Sequence, residues 1–86
     1  MSAGIPKQIP IPNVTTTVSH IELGCVTQRL TIINTHASNT LYLSFDAQNW
    51  ITLKPAGGQY DDDITRTWIE LKASASGTTV ECVAVV

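Results

Sequence analysis

Charge is scarce in this chain. Asp, Glu, Lys and Arg make up 14% of its 86 residues, against about 25% in an average soluble domain. The five basic residues, Lys7, Arg29, Lys54, Arg66 and Lys72, are scattered, and the net charge is −2. Displacing counterions from a phosphate backbone takes a concentrated positive surface, so nucleic acid is discounted as a partner. No run approaches the roughly 20 apolar residues of a membrane span. Met1-Ser2-Ala3-Gly4-Ile5-Pro6 lacks the apolar core of a secretory signal. The chain therefore reads as made and kept in a cytoplasm, at least until assembly, and the sequon Asn13-Val14-Thr15 as a chance match.

Cysteine is nearly absent too. Cys25 and Cys82 are far apart; one disulfide between them is possible, but two cysteines make no disulfide framework. Reading them as two small half-buried hydrophobes is the simpler account. With His20 and His36 they lack the paired spacing of a zinc site. Catalytic signatures are missing as well: no Gly-x-Ser-x-Gly elbow, no phosphate loop, no His-Glu-x-x-His and no CxxC. A small core also leaves little room for the concave pocket an active site needs. No enzyme activity and no cofactor are expected. The acidic run Asp61-Asp62-Asp63 is the conspicuous polar cluster. In an extended stretch its three carboxylates alternate sides, so they cannot all grip one cation. It reads as a solvated turn that also keeps a sheet edge from pairing with strangers, and no metal site is expected.

What the chain does have is β-sheet pattern. Thr40-Leu41-Tyr42-Leu43-Ser44-Phe45-Asp46 alternates apolar and polar, and Trp50-Ile51-Thr52-Leu53-Lys54 follows after Ala47-Gln48-Asn49, which reads as a hairpin. Stretches 14–22, 29–35, 64–72 and 78–86 are the other strands, separated by turn-rich pieces. With no apolar helical stripe anywhere, the expected fold is all-β: a small antiparallel β-sandwich or jelly-roll-like barrel of about six strands. Its core is expected from Leu30, Ile32, Leu41, Leu43, Phe45, Ile51, Leu53, Ile69, Leu71 and Val83. The motif Trp50-Ile51-Thr52-Leu53-Lys54 recurs as Trp68-Ile69-Glu70-Leu71-Lys72. Both copies put Ile and Leu on one face and Trp and Lys on the other.

Two features suit binding. Residues 1–13 read as an extended arm ahead of the 14–86 domain, because Pro6, Pro10 and Pro12 exclude helix and central strand. The arm displays Ile5, Ile9 and Ile11, either to a neighbouring molecule or folded back on its own domain. Trp50, Trp68, Tyr42 and Tyr60 are placed on outward faces, where Trp and Tyr anchor protein interfaces or stack on sugars. The interface residues expected from these features are Ile5, Pro6, Ile9, Pro10, Ile11, Pro12, Trp50, Tyr60 and Trp68.

Across Leu30 to Glu81 the chain resembles small structural proteins of tailed bacteriophages. The resemblance rests on Ile33-Asn34-Thr35, the Leu41-Tyr42-Leu43-Ser44-Phe45-Asp46 strand, Trp50, the loop Pro55-Ala56-Gly57-Gly58 and Leu71-Lys72-Ala73. It implies a virion component assembled in the host cytoplasm, in first place a head-decoration (cement) protein. Its implied partners are copies of itself, with a trimer favoured, and the major capsid protein or another virion protein. The alternative is a carbohydrate- or receptor-binding β-module, such as part of a fibre or tail.

Overall fold

The computed structural model describes residues 4–86, and the first three residues of the expected arm lie outside them. The described chain is entirely β, with eight strands: β1 Pro6–Ile9, β2 Ser19–Glu22, β3 Arg29–Asn34, β4 Leu41–Ser44, β5 Trp50–Leu53, β6 Gln59–Asp62, β7 Trp68–Ala73 and β8 Val80–Val85. They form two antiparallel sheets of four, in the orders β1-β8-β3-β6 and β2-β7-β4-β5. The pairing is nested: β1 with β8, β2 with β7, β3 with β6, β4 with β5. It is the connectivity of one long hairpin rolled into two layers, a jelly roll. Rolling brings β3 against β8 and β4 against β7, which completes each sheet.

The core lies between the layers, where alternate residues of each strand point inward. Leu30 and Ile32 of β3, Leu41 and Leu43 of β4, Leu53 of β5, and Ile69 and Leu71 of β7 are buried, as the alternation indicates. Three expected core residues sit differently. Ile51 pairs with Leu43 and shares its inward face, but β5 is an edge strand and Ile51 stays 37% exposed. Phe45 lies just past β4 and packs against the core margin. Val83 faces outward, and its neighbours Cys82 and Ala84 are the buried pair. Parity places Val83 on the face of the exposed Glu81.

The eight strands correct the expected six. The two extra strands, β1 and β6, are both edges of the first sheet. The prolines do not keep the arm extended in solvent. Pro6 opens β1 and Pro10 follows it, so Lys7, Gln8 and Ile9 between them pair with β8, the edge placement that proline tolerates. Ile9 is buried in its own domain, Ile11 packs against the core margin, and Ile5 is 68% exposed. Asp61 and Asp62 belong to strand β6, not to a turn. Asp61 accepts two hydrogen bonds from Arg29 (2.9 and 2.8 Å) and one from Thr31 Oγ1 (3.0 Å). These bonds hold its carboxyl below the usual carboxylate range.

Buried polar groups tie the loops. Asn34 Nδ2 donates to the carbonyls of Asn39 and Leu53, and its Oδ1 accepts the His36 N–H. Thr27 Oγ1 donates to the Ile64 carbonyl and accepts the Arg66 N–H. Among the described residues, no buried side-chain nitrogen or oxygen lacks a partner.

Candidate functional site on the outer face of the second sheet

Strand parity sends His20, Tyr42, Trp50, Trp68, Glu70 and Lys72 to the outer face of the second sheet. Trp50, Ser44, Glu70 and His20 form one cross-strand row; Thr52, Tyr42 and Lys72 form the next. Cross-strand neighbours on one face lie about 5 Å apart, so these side chains meet. The Lys72 ammonium sits 4.3 Å from the Trp50 ring centroid and 5.8 Å from that of Tyr42. The His20 ring stacks on Trp68 at 5.0 Å and 27°. The Arg66 guanidinium lies 4.5 Å from the Trp68 centroid and 5.1 Å from that of Phe45.

Arg66 is fixed from several sides. Its Nε donates to the Trp68 carbonyl (3.2 Å) and its Nη2 to the Phe45 carbonyl (2.8 Å). The Thr27 hydroxyl accepts its backbone N–H at 2.9 Å. Glu22 hydrogen-bonds the His20 ring, and Glu70 lies 3.8 Å from His20 Nδ1. Each cation–π contact at such half-exposed sites contributes about 0.5–1 kcal/mol. The larger consequence is order. Two indoles are held in place, and ordered side chains lose less entropy in a contact than free ones.

Of the residues expected at an interface, the fold gathers Trp50 and Trp68 on this face together with Tyr42. Tyr60 is elsewhere. It pairs with Ile32 on the inner side of β6, meets Phe45 edge-on at 5.4 Å, and packs on the core. Burial and the nearby Asp62 charge raise its hydroxyl pKa. Ile5, Pro6, Ile9, Pro10, Ile11 and Pro12 belong to the β1 segment of the other sheet. The Trp–Lys echo along each strand is realised across strands instead: Lys72 of β7 covers Trp50 of β5. His20, which the sequence brings up only in excluding a zinc site, is a stacking partner of Trp68. Its alternation with Ile21 in a β-branched stretch was the available signal.

The remaining chemical groups are engaged separately. His36 Nδ1 accepts the backbone N–H groups of Ser38 and Asn39, far along the chain from His20. Both cysteines are free. Burial, with a smaller contribution from Cys25, pushes the Cys82 thiol up to about 11, so it stays protonated at neutral pH. Among the described residues, no three His, Cys, Asp or Glu side chains gather as metal ligands, and no concave pocket opens. What the molecule offers is a flat, half-buried aromatic face crossed by two cations and two carboxylates. No protein family, no curated protein and no solved structure matches the chain.

Proposed function

We propose that the chain is a non-enzymatic structural protein of a bacteriophage particle. In this reading it decorates the head, clamps capsid subunits through the outer face of the second sheet, and associates with copies of itself. The observation that carries the reading is the ordered Trp50–Lys72 and Trp68–Arg66–His20 face. Trp and Arg are the residues most enriched among interface anchors. A jelly roll is an architecture that viral capsid and lectin domains both use, so the fold supports the reading by analogy alone. The contact assigned to the arm changes with the structure. The β1 segment now contributes through exposed Ile5 and Pro6, and Ile9 serves its own core.

Sugar binding is the second reading, favoured by Tyr42, Trp50 and Trp68 sharing one face. Stacking a sugar needs a free ring face. His20 and Arg66 lie over Trp68 and Lys72 over Trp50, which weighs against it. One experiment separates the two. Purified heads lacking the protein are mixed with it, sedimented and heated. Head decoration requires co-sedimentation and heads that resist higher temperature. If the protein stays in the supernatant while oligosaccharides quench its Trp fluorescence, the sugar-binding reading replaces this one.

A further inference from the structure

Each sheet has two open edges, and three of the four carry groups that obstruct pairing with another strand. On β1 these are Pro6, Lys7 and the following Pro10; on β6, Asp61 and Asp62; on β2, His20 and Glu22. Strand β5, Trp50-Ile51-Thr52-Leu53, has neither proline nor charge within its span, though Lys54 and Pro55 follow it. Natural sheets usually blunt such an edge.

The geometry points to this edge as a contact between two copies of the chain, β5 against β5 in antiparallel register about a two-fold axis. The direction of the free backbone groups fixes the register. Ser74 N–H donates to the Thr40 carbonyl, so in β4 the even residues bond toward β7. Backbone groups alternate sides along a strand, so Leu41 and Leu43 bond toward β5, where they face Leu53 and Ile51. Trp50 and Thr52 are then the β5 residues whose N–H and C=O point away from the sheet.

Those two residues complement themselves. With Trp50 opposite Thr52 of the second copy, and the reverse, each pair exchanges both backbone hydrogen bonds, four in all. Ile51 then meets the second copy's Ile51 on the axis as a non-hydrogen-bonded pair, about 4.5 Å apart at Cα. Ile51 faces inward and is among the few large apolar side chains left exposed. The pairing covers it and continues the sandwich core across the axis. On the outer face Trp50 gains Thr52 of the second copy as a neighbour. A dimer through one four-residue strand is a weak one, formed at high local concentration. The contact depends on the edge alone, so it stands or falls separately from the reading of the tryptophan face.

The test is mass in solution across concentrations up to millimolar, by sedimentation equilibrium, for the wild type and Thr52→Pro. Proline at 52 removes an N–H that points away from the sheet, leaving the ladder to β4 intact. The expected result is a concentration-dependent dimer in the wild type and a monomer in Thr52→Pro, both with native circular dichroism. Ile51→Cys in a Cys25→Ala, Cys82→Ala background keeps the question open to test if Thr52→Pro misfolds. It should oxidise to a disulfide-linked dimer at the axis, whereas Thr52→Cys should not. A wild type that stays monomeric, a trimer, or a Thr52→Pro dimer of undiminished affinity would overturn the inference.

Discussion

Asn34 shows how one residue can organise three connections. It is fully buried at the end of β3. Its side chain bonds the β3–β4 loop through Asn39 and His36, and bonds β5 through the Leu53 carbonyl. Its own backbone exchanges hydrogen bonds with Gly57 and Gly58. Gly58 has to be glycine, because a Cβ there would lie 2.4 Å from the backbone N and O of Lys54. Asn34→Ala takes their partner from the Asn39 carbonyl and the His36 N–H, and takes from the Leu53 carbonyl the second of its two donors, leaving it the ladder to Leu41. It should cost about 1–3 kcal/mol, read as a lower urea midpoint with an unchanged slope. A loss of a few tenths of a kcal/mol would mean that water replaces the amide at no cost. In the sequence Asn34 was visible only as part of a strand-end motif. Its role was illegible because its partners lie in loops whose closure depends on the whole roll.

At the scale of elements, the sequence disclosed the six strands that alternate, and passed over the two that do not. Leu41, Leu43, Ile69 and Leu71 are fully buried because their strands are central and one face must be apolar. Edge strands β1 and β6 are under no such demand, so proline and aspartate are tolerated there and mask the pattern. In the sequence, residues 6–9 therefore look like an arm and residues 61–63 like a turn. The β4–β5 hairpin was the most legible element, and its turn is closed by chemistry the residues announce. Asp46 accepts the backbone N–H groups of Gln48 and Asn49, and Ser44 accepts those of Asp46 and Ala47. Those bonds, with the Asn49 and Ser44 side chains, hold the Asp46 carboxyl well below its ordinary value of 3.8. A depressed carboxyl contributes stability that is present above its unfolded pKa and lost as pH falls toward the folded value. The hairpin should therefore loosen below about pH 4. Melting temperature should fall in that range for the wild type and fall less for Asp46→Asn, which is already without the charge at pH 7. Equal acid sensitivity in both proteins would assign the effect to another carboxylate, with Asp61 as the first candidate.

As a whole molecule, the chain is thin and long, 42 × 24 × 19 Å, two layers thick with no cavity among the described residues. Periodicity in the sequence had already put Trp50 and Trp68 on outward faces. Arg66 beside Trp68 follows from alternation along one strand; the contacts of His20 with Trp68 and of Lys72 with Trp50 are not legible, because they need β7 to lie between β2 and β4, a consequence of the roll and not of any one strand. Tyr60 faces inward and not outward as expected, because β6 pairs it with Ile32 over the core. The central claim is that this face is the main anchor of the proposed contact with the partner. Its most direct measurement is the affinity of wild type and Trp68→Ala for purified phage heads, with native circular dichroism confirmed for both. Loss of an ordered Trp anchor should weaken binding about tenfold or more, and Lys72→Ala should weaken it less. Undiminished affinity of Trp68→Ala would contradict the account.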